Sequence, residues 1–335
     1  MRKIVLFFSL TLSVICSAGN GTPAGASYTA AAYQVSVQKD VLYGEATGFW
    51  TSYPDTGEDF QTIYTNKINE LRRGREVCRL MLDLYTPDGD DSASRPLLVF
   101  AHGGAFFNGD KAIEPIVKWC RYFASLGYVV ASVNYRLGFR PTPNAIIEAS
   151  YCAYQDMEAA IRFLVYHKEK YRIDPARVFV AGSSAGAITA LNVAFMRDWD
   201  WPGDVSGQEV VNSWMNNPYR IRAVASLWGA VRDLSVLGNT NVAVISFHAR
   251  WDPIVPFDYG YPFQQLSFLK NILFDRMNGS ESIHEELKEL GRPTELYVYN
   301  LDRHDLYYDD DNHISPRVDE MMRRTAAFFS ARMGN

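Results

Sequence analysis

The stretch Val178-Phe179-Val180-Ala181-Gly182-Ser183-Ser184-Ala185-Gly186 passes from a short apolar run into a turn of small residues, and a helical pattern then runs on to Phe195. An apolar run of four bounded by turn residues reads as a buried strand, and strand, tight turn, helix is the repeating unit of parallel sheets. Gly182 to Gly186 has the form Gly-x-Ser-x-Gly. Between a strand and a helix, that form holds the central hydroxyl out at the carboxyl edge of the sheet, because the flanking glycines let strand and helix approach closely. Ser184 is therefore the candidate nucleophile. Without that context the same five residues would be an ordinary turn.

The alternation extends in both directions from this unit. Upstream, residues 80–85 alternate apolar with polar as a strand does, and 97–101 form a second buried apolar run. A helical pattern over 114–125 stops at Gly127, a good helix C-terminal signal, and 128–133 form the next strand. A long helix is expected over 145–171, with a helix from 184 to 195 after the elbow. Downstream come strands at 223–227 and 242–247, helical sequence between 264 and 289, a strand at 295–299 and a closing helix over 316–332. The expected fold class is α/β, a mostly parallel central sheet flanked by helices, in a single domain over residues 19–335. Residues 198–218 interrupt the alternation and set Trp199, Trp201 and Trp214 among polar residues, which suits a lid or rim insertion.

Composition narrows the function. The 335 residues carry 33 Lys and Arg against 38 Asp and Glu, a net charge of −5, with no long basic block, which argues against nucleic acid or anionic lipid as partner. Apolar residues make up 47% and charged residues 21%, so the chain is not disordered. Arg2 and Lys3 before an apolar run to Cys16, with Ala18 after it, have the layout of a secretory signal peptide over 1–18. That run is too short to span a bilayer, and no later segment supplies the roughly 20 apolar residues a span needs. A secreted or periplasmic protein is expected, with a lipid anchor at Cys16 as the weaker alternative. Beyond the leader stand Cys78, Cys120 and Cys152, of which Cys120 and Cys152 are the pair expected to bridge if any does. No Cys-x-x-Cys spacing argues for zinc, and the acidic run Asp309-Asp310-Asp311-Asn312 lacks the spacing of a calcium loop.

His102-Gly103-Gly104-Ala105-Phe106 follows the buried run 97–101. Glycines there let backbone N–H groups point into a site. With the N–H of Ala185 at the start of the elbow helix, those of Gly104 and Ala105 are the expected donors to an oxyanion. His102 itself is expected to brace the loop.

Taken together, Leu82-Asp83-Leu84-Tyr85-Thr86-Pro87, His102-Gly103-Gly104-Ala105-Phe106, Asn134-Tyr135-Arg136 and Gly182-Ser183-Ser184-Ala185-Gly186 resemble the carboxylesterase/lipase branch of the α/β-hydrolases, from about residue 78 onward. Members often carry a third glycine where Ala105 stands, but alanine still presents its N–H. The resemblance implies an α/β-hydrolase fold and a serine nucleophile with acid and histidine following it in the chain. Asp252, in His248-Ala249-Arg250-Trp251-Asp252-Pro253-Ile254-Val255-Pro256, is similar to the family's acid loop, with Asp233 as rival. For the base, His102 belongs to the glycine loop, His167 to a helix and His284 to charged helical sequence, while His248 precedes the acid. His304 and His313 remain, and His304 follows the strand 295–299 at the edge where Ser184 stands. Trp228 is a candidate for the substrate pocket, with core packing as the plain alternative. Arg136 is expected to pair internally and Asp156 to brace its helix.

The function this implies is a serine carboxylic ester hydrolase working through an acyl-enzyme, with no metal or organic cofactor. The expected substrates are short-chain or phenolic acyl esters, on small molecules or on polysaccharide, because the chain reads as exported and rich in aromatics and shows no sustained apolar lining for a deep acyl channel. A lipase on longer chains and a non-catalytic binding protein on the same fold are the alternatives. Oligomeric state is open.

Overall fold

The computed structural model describes residues 28–54, 57–89, 91–143, 145–197, 200–202 and 217–334. The leader expected over 1–18, Cys16, and Trp199 and Trp214 of the expected rim lie outside them.

In chain order the elements are β1 (Gln34–Gly48), α1 (Phe60–Arg73), β2 (Glu76–Asp88), β3 (Arg95–Ala101), α2 (Glu114–Ser125), β4 (Val129–Val133) and α3 (Ala145–Tyr166). Then follow α4 (Lys168–Tyr171), β5 (Ile173–Ser183), α5 (Ala185–Phe195), β6 (Ile221–Leu227), β7 (Ala243–Ala249), β8 (Tyr259–Gly260), α6 (Lys270–Leu273), β9 (Met277–Asn278), α7 (Ser280–Glu289), β10 (Thr294–Tyr299) and α8 (Pro316–Ser330). The described residues form an eight-stranded sheet in the order β1-β2-β4-β3-β5-β6-β7-β10. From β4 to β10 every pairing is parallel, and β2, antiparallel to both β1 and β4, is the one strand of this sheet that runs against the others. This is the α/β architecture that the alternation predicts.

Side-chain alternation along the central strands divides the core. Leu97, Val99 and Ala101 of β3, with Val178 and Val180 of β5, face the layer of α3 and α5. Leu98 and Phe100, with Phe179 and Ala181, face α2 and α8. On that second face α2 presents Ile116, Trp119, Cys120 and Phe123 at helical spacing, and Phe329 of α8 stacks on Phe179 at 4.6 Å. Truncating a ring such as Phe179 would cost about 3–5 kcal/mol.

Several expectations are corrected. Cys78, Cys120 and Cys152 are all free thiols: Cys120 lies on α2 and Cys152 on α3, helices that cover opposite faces of the sheet, so no bridge can join them. The helix expected through residue 171 breaks at His167, whose ring packs on Phe163 at 4.7 Å before α4 resumes. The helical sequence expected between 264 and 289 is a 3-10 turn (Gln264–Leu269), then α6, the short strand β9, which pairs back with β8, and α7. Phe263, at a positive φ of 55°, turns its ring onto Phe60 and Phe274, and this tertiary packing overrides the local pattern. The strand β1 and helix α1 carry weak sequence signals: β1 is a mostly polar antiparallel edge strand with two bulges, and α1 buries only Ile63 and Leu71.

Candidate functional site

The parallel order β3-β5-β6-β7-β10 brings four loops to one edge of the sheet, because the carboxyl ends of parallel strands all point the same way. Ser184 leaves β5, Asp252 follows β7 and His304 follows β10, while the 102–106 loop leaves β3 beside β5.

The elbow is built by close approach. A side chain on Gly186 would overlap the carbonyl oxygens of Ala101 and His102, so α5 can start against β3 only with glycine there. Ser184 takes φ 52° and ψ −121°, a strained conformation for a residue with a Cβ, which turns its side chain away from the sheet. It stands at the N-cap of α5, yet its hydroxyl does not cap the helix. Ser184 Oγ instead lies 2.8 Å from His304 Nε2.

His304 Nδ1 in turn lies 2.7 Å from Asp252 Oδ2. Asp252 Oδ1 accepts from the backbone N–H groups of Ile254 at 2.7 Å and Val255 at 3.0 Å. Burial works against its ionisation, but the hydrogen bonds from His248 and His304 outweigh it and hold the carboxyl at about 2. A carboxylate fixes the imidazole with its proton on Nδ1, which leaves Nε2 as the acceptor facing Ser184. The chain therefore joins three predicted residues, far apart in sequence, in one hydrogen-bonded line. The rivals stand elsewhere: Asp233 is exposed and caps a 3-10 turn through Ser235 N, and His313 is exposed on the 309–314 loop.

The glycine loop passes over the elbow so closely that a Cβ on Gly103 would stand 3.1 Å from Ser183 O and 3.3 Å from Ser184 Cβ. Ala105 and Phe106 both take positive φ, 53° and 59°. Among the described residues the N–H groups of Gly104, Ala105 and Ala185 donate to no protein acceptor, and Ala185 opens α5, where the helix dipole favours negative charge. His102 braces this loop: Nδ1 lies 2.7 Å from Gly103 O, its carbonyl accepts from Tyr135 Oη, and the rings stack at 4.4 Å. Arg136 pairs internally with the buried Asp156 at 2.7 Å.

Trp228, a candidate for the substrate pocket, is 2% exposed and lies outside the cavity at Ser184. Its positive φ of 45° turns the ring into the core beneath the site, edge-on to Tyr307 at 4.9 Å and to His304 at 6.3 Å. The cavity has walls the sequence did not reveal. Ile146 and Ile147 of α3, Ile188 and Met196 along α5, and Phe263, Phe274 and Met277 line it beside Ser184, with Trp201 of the expected rim. The apolar lining absent from any one stretch is thus assembled from four. His248 is a second residue with an unread role, since its Nε2 reaches the same carboxylate oxygen as His304; its position four residues before Asp252 was the available signal.

Among the described residues no helix is long and apolar enough to cross a membrane. Residues 82–246 match the BD-FAE family model. The chain is 31% identical over 159 residues to the para-nitrobenzyl esterase of Bacillus subtilis, a match covering 46% of this chain and 30% of that protein. It is 34% identical over 112 residues to esterase LipI of Mycobacterium tuberculosis, covering 33% and 32%. These matches span about a third of each relative's length. Among solved structures, esterase 2 of Thermogutta terrifontis in its apo form superposes with a TM-score of 0.54 at 18% identity, over 76% of this chain and 90% of that one. The same esterase phosphorylated by paraoxon gives 0.55 at 19%, over 76% and 89%. The parallel sheet and these likenesses agree: the chain has the α/β-hydrolase fold and is similar to esterases of the carboxylesterase branch.

Proposed function

We propose that the chain hydrolyses carboxylic esters through an acyl-enzyme on Ser184. The observation that carries this reading is the line Ser184 Oγ, His304 Nε2, His304 Nδ1, Asp252 Oδ2, with contacts of 2.8 and 2.7 Å. Ser184 Oγ attacks the ester carbonyl carbon as its proton passes to His304 Nε2. The negative charge that develops on the carbonyl oxygen meets the N–H groups of Gly104, Ala105 and Ala185. Collapse breaks the bond to the alcohol, which leaves with the proton from His304, and water then releases the acid by the same steps. Asp252 stays ionised throughout, as its low pKa of about 2 allows, and stabilises the imidazolium formed in between. No step requires a metal or organic cofactor.

The substrate reading is a short-chain or phenolic acyl ester, carried on a small molecule or on polysaccharide. Relatives named as a para-nitrobenzyl esterase and an arylacetamide deacetylase-like protein support an aromatic group somewhere in the substrate. The charged-then-apolar layout of residues 1–18 supports export, where polysaccharide esters are met. The test is hydrolysis of 4-nitrophenyl acetate by the purified protein and by Ser184→Ala. The expected outcome is measurable turnover that the substitution lowers at least 10³-fold, on the order set by nucleophile removal elsewhere, with unchanged circular dichroism. Equal turnover by the two proteins rejects the nucleophile.

A further inference from the structure

The three backbone donors at Ser184 have unlike supports. Ala185 opens α5 and is fixed by the helix, whereas Gly104 and Ala105 stand on a loop in which Ala105 and Phe106 both take positive φ, 53° and 59°. Two adjacent residues with a Cβ in the left-handed region are strained, and such a conformation persists only where its surroundings fix it. In a trans peptide the C=O and N–H point in opposite directions, so a carbonyl held on the far side of the loop aims the following N–H into the site. Gly103 O is held by His102 Nδ1 at 2.7 Å. Gly104 O is held by the N–H groups of Phe107 at 2.8 Å and Asn108 at 2.9 Å. The direction of the Ala105 N–H therefore rests on where Phe107 and Asn108 stand.

Residues 50–53, between β1 and α1, hold that part of the loop from outside. Trp50 Nε1 donates to Phe107 O at 2.9 Å, and its ring meets the Phe107 ring edge-on at 5.1 Å. The Trp50 backbone pairs with Leu137, whose neighbour Gly138 donates to Phe106 O at 2.8 Å. Tyr53 pairs with Gly109 in the same antiparallel way, and Ser52 Oγ donates to Asp110 Oδ2 at 2.6 Å. Lys67 Nζ of α1 stands over both rings of this strap, 4.8 Å from Trp50 and 4.5 Å from Tyr53. Trp50 is buried and lies outside the cavity at Ser184, so any effect it has on the reaction passes through the loop.

We propose that Trp50 is a positioning residue for ester hydrolysis: by holding Phe107 O, its indole N–H keeps the N–H groups of Gly104 and Ala105 aimed at the oxyanion. This rests on the ester-hydrolase reading above. Trp50 stands before residue 82, where the match to the family begins. A donor turned off its line costs more in the transition state, where the carbonyl oxygen carries charge, than in the ground state. The loss of the strap therefore falls on kcat and spares KM.

The experiment compares kcat and KM for 4-nitrophenyl acetate in the wild type, in Trp50→Phe, which keeps a ring but loses the N–H, and in Trp50→His, which keeps a ring N–H. Trp50→Phe is expected to lower kcat about tenfold, the yield of one hydrogen bond and short of the 10²–10³ or so that deleting an oxyanion donor costs, with KM within about twofold. Trp50→His is expected to recover part of the loss. If Trp50→Phe does not fold by circular dichroism, Ser52→Ala, a milder cut in the same strap, carries the comparison with an expected loss of about threefold. Unchanged kcat in the folded variant, or a change confined to KM, overturns the proposal. Amide hydrogen exchange separates the two readings, since Phe107 and Asn108 should exchange faster in the variant while β5 does not change. Faster exchange there, in a protein whose wild type turns over no ester, supports the strap and sinks only the ester-hydrolase reading. Unchanged exchange and kcat beside brisk wild-type turnover sink only the strap.

Discussion

His248 Nε2 lies 3.2 Å from Asp252 Oδ2, the carboxylate oxygen that also receives His304 Nδ1. The tautomer of His248 follows from its other neighbours. Nε2 also faces the carbonyl of Val255 at 3.3 Å, which can only accept, so Nε2 carries the proton. Nδ1 then accepts from Ser280 Oγ at 2.8 Å. Asp252 is thereby held from four sides, by two backbone N–H groups and two imidazoles, and cannot rotate away from His304.

Replacing His248 by Phe should strand the Ser280 hydroxyl and one lone pair of Asp252 in the core. We expect kcat on 4-nitrophenyl acetate to fall about tenfold, the worth of one hydrogen bond to a charged group, with KM little changed. His248→Gln, which keeps an N–H donor, should recover part of the loss. Equal kcat in the wild type and His248→Phe would remove the positioning role.

His304→Ala and Asp252→Asn should each lower kcat on the order of 10⁴-fold or more, because one removes the proton acceptor and the other leaves the wrong tautomer facing Ser184. His313→Ala and Asp233→Asn, both at exposed loop positions, should stay within about twofold of the wild type, as surface substitutions do. Steady-state kinetics on the four variants reads the ranking directly, and a reversed order would relocate acid or base.

His102 makes stability pH-dependent. Burial pushes its imidazole down to about 4 from an ordinary value of 6.5, against the opposing hydrogen bond to Gly103. Between those values the unfolded chain binds a proton that the folded protein refuses. Stability is therefore full above pH 6.5 and falls as pH drops toward 4, by roughly 3 kcal/mol over the window. Thermal melts of the wild type between pH 7 and 4.5 should show this slope, and His102→Gln should flatten it. Parallel slopes for the two proteins would count against the assignment.

Acyl length should separate an esterase from a lipase. The cavity sets Asn192, Arg232 and Asp275 among its apolar walls, so kcat/KM across acetyl to palmitoyl esters should peak well short of palmitoyl. Trp201 lines the cavity with its ring against Tyr151 at 4.9 Å and Tyr154 at 5.4 Å. Trp201→Ala should therefore raise KM for ring-bearing acyl esters more than for acetyl. A maximum at palmitoyl, or equal KM effects, would favour the lipase reading over a stacking wall.

The sequence by itself determined the sheet and the place of Ser184 on a strand-to-helix turn. Continuous apolar runs such as 97–101 and 178–181 can be satisfied only inside a parallel sheet covered on both faces, and Gly182 and Gly186 around Ser184 signal a close strand-to-helix approach through local geometry alone. The resemblance to the carboxylesterase acid loop, with chain order and loop placement, pointed to Asp252 and His304 and kept Asp233 and His313 as rivals. What lies across the sheet was not legible. That Cys120 and Cys152 are separated, that Trp228 turns inward and that His248 reaches Asp252 depend on which face and which side of a loop each side chain takes. Only the tertiary structure decided the cavity, because its walls come from Ala105 and Phe106, α3, α5, Trp201 and the 254–277 segment, which meet only once the chain has folded. Local periodicity records how one element meets the core; a binding site is the space left between several, and that space exists only once they pack.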